Sequence, residues 1–512
     1  MRQDEIIRRL SSGEGFGDTR PERIDTHVST IFLAGDDAYK LKRAVATSYL
    51  DYSTLEQRLR FCRAEVEINR RTAPGIYLGV VPVRHTADDQ LVVGDGPGTP
   101  VEWLVHMRRF SEDTLFDRMA AKGALTAPML LDLADAIAAF HAAAERLADG
   151  DAGRRIGAVI DENALEMRKQ AALVDRAMAE ELDRRCRAIL KVQAGRIDRR
   201  GADGFLRHCH GDLHLRNICL VEGKPTLFDA IEFSDAISHI DVLYDLAFLL
   251  MDLEHRRLRP EANALFNRYL HRTVDIDDLA VLPLYLALRA GIRTHVSAMA
   301  AAAASDSAAR ERLRRDAMDY LRLGLRLLDS APPALVAVGG LSGVGKSSVA
   351  RRLAPGIGAA PGAVVLSSDL IRKRLLGAAP LTRLGADAYT AETDDAVYDA
   401  LMDLAARALG AGRAVILDAT FQDPVRRQQA EAIGRAAGVR FHGIWLEASP
   451  RRLYERLDAR AGDPSDATAA VLARQLENDV GEIAWRRIDA GHPAETVNRT
   501  VAEAISQQPA RA

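Results

Sequence analysis

Gly340-Leu341-Ser342-Gly343-Val344-Gly345-Lys346-Ser347 fits GxxxxGK[ST] at every fixed position, between an apolar run, Leu335 to Val338, and a helical stretch that starts near Lys346. Both flanks are what the pattern requires. Glycines let the loop wrap closely, so that backbone N–H groups point inward at phosphate oxygens, and the following helix adds the positive end of its dipole. Gly340, Ser342, Gly343, Val344, Gly345, Lys346, Ser347 and Ser348 are the expected cradle for ATP, with Lys346 reaching the β and γ phosphates and the Ser347 hydroxyl on Mg2+.

Beyond the loop, the apolar runs Val364 to Leu366, Val415 to Leu417 and Phe441 to Leu446 alternate with helical stretches, the rhythm of a parallel sheet covered on both faces. Two acids stand at predicted strand ends, Asp369 and Asp418, and ligands in such sheets bind at the carboxyl ends of strands. Asp418 is expected to orient magnesium and its water, and Asp369 to take the proton of an acceptor hydroxyl. Each also suits a helix N-cap. Arg452, Arg456 and Arg460 recur every four residues just before Gly462-Asp463-Pro464-Ser465-Asp466, so they read either as a lid supplying transition-state charge or as a solvated basic stripe.

This region resembles the small-molecule P-loop kinases, among them gluconate kinase, the zeta toxins and polynucleotide kinase, through the loop, Ser368-Asp369 with Arg372 and Arg374, and Leu417-Asp418-Ala419-Thr420. The resemblance implies that Asp369 activates the substrate hydroxyl and that Arg372 binds substrate or phosphate. It does not name the acceptor.

Upstream, His210-Gly211-Asp212-Leu213-His214-Leu215-Arg216-Asn217 fits HxDxxxxN, and Asp229 follows an apolar hairpin, Ile218 to Val221 and Thr226 to Phe228. That is the layout of a kinase catalytic loop and its metal-binding acid. Asp212 is expected to accept the hydroxyl proton, while Asn217 and Asp229 share magnesium; His210 reads as support for the loop. The HGDLHxxN form and Asp241-Val242-Leu243-Tyr244-Asp245 resemble the aminoglycoside phosphotransferase and choline kinase group, which has a protein-kinase-like fold. Taken with the P-loop region, the whole chain resembles the bacterial fusion described as a bifunctional aminoglycoside phosphotransferase/ATP-binding protein.

In the same region, apolar runs flanking Gly35-Asp36-Asp37 predict a hairpin over about Thr26 to Val45, and Ala38-Tyr39-Lys40 matches the A-x-K of a third strand. Lys40 is the expected phosphate ligand, with Lys42 on the same strand face as a possible substitute, and its partner acid on the next helix is Glu65 in preference to Glu67. Gly13-Glu14-Gly15-Phe16-Gly17 is one residue short of G-x-G-x-x-G and precedes the hairpin, so the turn at His27 to Ser29 is expected near the phosphates instead. A zinc site at His208, Cys209, His210 and His214 lacks a second ligand pair at a proper spacing. The nearly all-alanine run Ala298 to Ala304 reads simply as helix.

The fold class is thus a multidomain α/β protein. A kinase-like domain over 1–330 has a small sheet lobe to about 106 and a large helical lobe beyond it; Ser330-Ala331-Pro332-Pro333 marks the break, with 331–334 as linker and a doubly wound P-loop domain over 335–512. With 48% hydrophobic and 28% charged residues the chain should bury full cores, and a net charge of −3 gives no global field for nucleic acid or membrane. Four scattered cysteines and no apolar leader lead to the expectation of a cytoplasmic protein. The partner expected is a small hydroxyl acceptor at each of two Mg-ATP sites, or a single active P-loop kinase regulated by the first domain.

Overall fold

The computed structural model describes the chain except at residues 18, 27, 47–49, 149, 459–466 and 508–512; the side chains of 386 and 507 are likewise outside the description. Packing divides the chain into two compact units, Met1–Ala158 with Ile197–Asp252, and Val159–Arg196 with Leu253–Ala512. Among the described residues no helix is long and apolar enough to cross a membrane.

The first unit begins with helix Gln3–Ser11 and a six-stranded antiparallel sheet: β1 (Glu22–Asp25), β2 (Ser29–Ala34), β3 (Asp37–Lys42), β4 (Tyr77–His85), β5 (Leu91–Val93) and β6 (Thr99–Arg108), in the order β1-β2-β3-β6-β4-β5. Alternation along β3 settles what each face meets. Phe32 and Leu41 pack with Ile6, Ile7 and Leu10 on one side. Ala38 packs with Cys62 and Val66 on the other, and the same period sends Lys40 and Lys42 to that side, toward helix Leu55–Arg70. That helix starts at a capping box, in which Thr54 Oγ1 accepts from Gln57 N and Thr54 N donates to Gln57 Oε1, both at 3.2 Å. Its buried stripe runs through Arg58, Cys62, Glu65 and Asn69, the i, i+4, i+7 spacing that carries Glu65 inward, whereas Glu67 is exposed.

The remainder of this unit carries two short antiparallel pairs. Strand β7 (Leu206–His208) pairs with β10 (His239–Asp241), and β8 (Ile218–Val221) pairs with β9 (Lys224–Leu227).

In the second unit, β11 (Ala334–Gly339), β12 (Val364–Ser367), β13 (Val415–Asp418), β14 (Arg440–Glu447) and β15 (Arg486–Asp489) form a wholly parallel sheet in the order β12-β13-β11-β14-β15. Helix Ser307–Leu327 ends before Ser330, and β11 starts at Ala334. Packing groups the helices ahead of β11, from Leu253 on, with the sheet. The reason is visible at the edge strand β12. Asn267 Oδ1 accepts from Val365 N at 2.7 Å, and Asn267 Nδ2 and Asn263 Nδ2, both on helix Arg259–Thr273, donate to Ala363 O at 3.1 Å each. Phe266 of the same helix lies 5.6 Å from the buried Arg413 guanidinium, which donates to Ala359 O, Ala360 O and Gly362 O. Asp277 pairs with Arg407 at 2.6 Å.

Replacing Asn267 by leucine removes the acceptor for Val365 N and should destabilise this unit by about 1–3 kcal/mol. A lowered thermal unfolding midpoint is the expected result; an unchanged one would show that the side chain does not hold the strand.

Candidate functional site

In the first unit the loop His210-Gly211-Asp212 follows β7 and is held by a carboxylate with no exposed surface. Asp245 accepts from His210 N at 3.1 Å and from Gly211 N at 2.9 Å, and His141 Nε2 lies 3.1 Å from it. Arg200 grips Asp241 with two bonds, of 2.6 and 2.9 Å, so both acids of the Asp241 to Asp245 segment are committed to support. His210 Nε2 lies 2.9 Å from Phe228 O, and burial pushes its imidazole below the usual value, which fits the supporting role expected of it.

Asn217 Nδ2 donates to Asp212 O and to Asp212 Oδ2, at 2.9 Å each, and the Asp212 side chain is one-third exposed. Asp229 sits in the left-handed region at φ +62°, braced by Asp229 N donating to Tyr77 Oη at 3.1 Å and Ala230 N to Asn69 Oδ1 at 2.8 Å. Lys40 Nζ joins Glu65 Oε1 at 2.8 Å to Asp229 Oδ1 at 2.6 Å. Burial pushes both carboxyl groups up, but the lysines outweigh it and hold them below their ordinary values. The structure therefore brings Lys40, Glu65, Asp229, Asp212 and Asn217 into one constellation.

Lys42 is not an exposed substitute for Lys40. It is 1% exposed and bonded to Glu65, Glu232 and Tyr52. Sequence reading missed Glu232 and Tyr52; the second lysine on one strand face was the signal that further buried acid had to be present. The Gly13 to Gly17 run packs on the far edge of the sheet, where Glu14 Oε1 accepts from Leu91 N at 2.7 Å and a Cβ on Gly15 would meet a Val93 methyl at 3.0 Å. His27, in the turn expected at the phosphates, lies outside the described residues. His141, Cys209 and Asp245 place ligand atoms within 4.8 Å of one another, but Asp245 serves the loop and burial pushes the Cys209 thiol well above its usual value, away from the thiolate that metals prefer.

In the second unit the phosphate loop leaves β11 at Gly340, where φ is +136° and a Cβ would stand 2.5 Å from Leu446 O. Only glycine fits such a contact. Gly340 N donates to Thr420 O at 3.1 Å, tying the loop to the segment after Asp418. Asp418 is 3% exposed at the end of β13, opposite Val338 on one side and Ser367 on the other. Lys346 opens helix Lys346–Leu353, and its Nζ donates to Leu341 O at 3.1 Å; Ser347 is half-buried and Ser348 exposed in the same turn.

Three of the expected residues sit differently here. Asp369 stands past the strand end, in the first turn of helix Ser368–Leu375. Arg372 is buried, with Nη1 donating to Ala388 O at 3.0 Å and Nη2 paired with Asp394 at 2.7 Å, so its guanidinium is engaged inside the unit. Arg456, on helix Pro450–Asp458, donates to Val344 O at 3.1 Å and Ala490 O at 2.7 Å, bracing the loop from behind. Arg460 and Gly462 to Asp466 lie outside the described residues. Gln475, unremarked in the sequence, accepts from Ser342 N at 2.8 Å.

The model of the phosphotransferase enzyme family matches residues 109–284, and that of an AAA domain matches residues 335–478. Uncharacterized proteins of Mycobacterium tuberculosis (strain ATCC 25618 / H37Rv) and Mycobacterium bovis (strain ATCC BAA-935 / AF2122/97) are each 33% identical over 494 residues, covering 92% of this chain and 92% of theirs. A gluconokinase from Sinorhizobium meliloti 1021 is 21% identical over 34% of this chain and 93% of its own, with a TM-score of 0.26. A choline kinase from Cryptosporidium parvum Iowa II is 12% identical over 64% of this chain and 96% of its own, with a TM-score of 0.40. The chain belongs to the family of these mycobacterial proteins, and it is a kinase that fuses a phosphotransferase domain to a P-loop kinase-like domain.

Proposed function

We propose that the chain holds two Mg-ATP sites, one in each unit, and that each transfers a γ-phosphoryl group to the hydroxyl of a small molecule. The observation that carries the first site is the junction at Lys40 Nζ, which bonds Glu65 and Asp229, 25 and 189 residues away in the chain. Such a junction joins an ammonium to two carboxylates, and the Asp212 charge acts on Asp229 from nearby, which supports a site for phosphoryl transfer.

The donor atoms suit magnesium, which takes oxygen ligands. In the first unit Asn217 spends its amide nitrogen on Asp212, leaving its oxygen for a cation beside the Asp229 carboxylate, which is 42% exposed. In the second, the Ser347 hydroxyl and Asp418 carboxylate are the corresponding donors. A magnesium ion held there would supply neutralisation of phosphate charge. Asp212 and Asp369 then take the acceptor proton, Lys40 and Lys346 steady the phosphates, and the loop amides from Gly343 to Ser348 cradle them.

A second reading keeps only the P-loop site catalytic and makes the first unit a nucleotide- or ligand-binding regulator. It is favoured by the position of the Gly13 to Gly17 run, which leaves the β1–β2 turn without a glycine to cover the phosphates.

A mass-spectrometric screen of sugars, amino alcohols, nucleosides and aminoglycosides with ATP should reveal gained phosphate. Asp212→Ala should cut the first activity about 10²–10⁴-fold, and Lys346→Ala should abolish the second; no phosphorylation sensitive to either change would sink the proposal. ATP binding that persists in Asp212→Asn without any Asp212-dependent turnover supports the regulator. Gly340→Ala, whose Cβ meets Leu446 O, should weaken ATP binding by the second unit more than about tenfold while leaving Lys40-dependent binding intact, as read by titration calorimetry.

A further inference from the structure

The small sheet lobe buries more charge than a phosphate grip requires. Lys42 lies two residues beyond Lys40 on the same face of β3, and its ammonium takes Glu65 Oε2 at 2.6 Å and also bonds Glu232 Oε1. Tyr52 donates its hydroxyl to the same Glu232 oxygen at 2.6 Å, with Lys42 Nζ 4.9 Å from the centre of the Tyr52 ring. Glu65 is thus divided, one oxygen to each lysine. Lys42, Glu65 and Glu232 are at most 5% exposed, and Lys40 with the more open Asp229 adjoins them, so two ammonium groups meet three carboxylates. Buried ions persist only against counter-charge, and the surplus here is negative, the sign that attracts a cation.

Lys40 and Asp229 are bonded to each other in this arrangement. To serve phosphate and metal they must part. Glu65, with no exposed surface, keeps Lys42 on its second oxygen whichever way Lys40 turns. Glu232 follows Asp229 by three residues, so its bonds to Lys42 and Tyr52 also pin the far end of the segment that starts at the left-handed Asp229.

We propose that Lys42, Glu232 and Tyr52 are positioning residues of the first nucleotide site. Lys42 holds Glu65 in place while Lys40 turns to the phosphates, and Glu232 and Tyr52 fix the Asp229 segment so that its carboxylate meets the metal. The inference rests on the reading of Lys40 and Asp229 as phosphate and metal ligands.

The test is calorimetric titration of ATP, with and without magnesium, into the full chain carrying Lys346→Ala, which silences the second site. Magnesium should strengthen ATP binding to this parent, and Lys40→Ala should remove that binding. Glu232→Gln, which keeps an oxygen for Lys42 and Tyr52, should cut the magnesium-dependent gain about tenfold, and Tyr52→Phe about threefold, with binding of ATP alone changed less than about twofold. Lys42→Arg should retain the gain and Lys42→Met should lose it. An unfolding midpoint held within a few degrees separates positioning from structural damage. The proposal is overturned if the gain is unchanged in Glu232→Gln and Tyr52→Phe, or if affinity falls equally with and without magnesium alongside the midpoint. A parent with no Lys40-dependent ATP binding overturns the reading of the site itself, and the proposal with it.

Discussion

A carboxylate with no exposed surface must be met by positive charge, and Glu65 is the residue on which the small lobe's arrangement turns. Its helix is set by a capping box at Thr54 and by a buried stripe, and its counter-charge comes from a strand whose two-residue period brings lysines, not leucines, to that face. Neither element makes a site alone. The helix supplies an acid that is tolerable only beside the strand, and the strand supplies ammonium groups that are tolerable only beside the acid. Asp245 repeats this logic beneath the His210-Gly211-Asp212 loop, where the backbone N–H groups of His210 and Gly211 are its donors.

The second unit solves a different problem, that of bringing a loop close to its neighbours. Gly340 passes Leu446 O too closely for any side chain, and a Cβ at Gly343 would stand 2.9 Å from Leu453 O. The loop is braced by Arg456 on Val344 O and by Thr420 O on Gly340 N.

Much of this was legible from local spacing. The phosphate loop and the HxDxxxxN segment are contiguous, so each motif carries its own geometry, and the placement of Glu65 inward and Glu67 outward follows from helical period alone. What sequence could not supply depends on distant partners. Tyr52 and Glu232 are 180 residues apart, and no local pattern joins them. Arg372 and Arg456 read as free cations because their partners, Asp394 and the carbonyls of Val344 and Ala490, are assembled only by folding. Strand β15 was missed because Arg486-Arg487-Ile488-Asp489 has no apolar run: only Ile488 is buried. The grouping of the helices from Leu253 on with the parallel sheet rests on contacts that Pro332-Pro333 gives no hint of.

Asn267 presents one amide oxygen and one amide nitrogen to β12, the same pair of groups that an adjacent strand would offer. An open strand edge is a template for pairing with another chain. The helix Arg259–Thr273 therefore closes a site of self-association, and a fragment cut at the prolines would carry the phosphate loop intact but with that edge uncovered. Helix and sheet in this unit are joined by more than a peptide link, so gene-level separation at the motif boundary would leave the parallel sheet with an aggregation-prone edge.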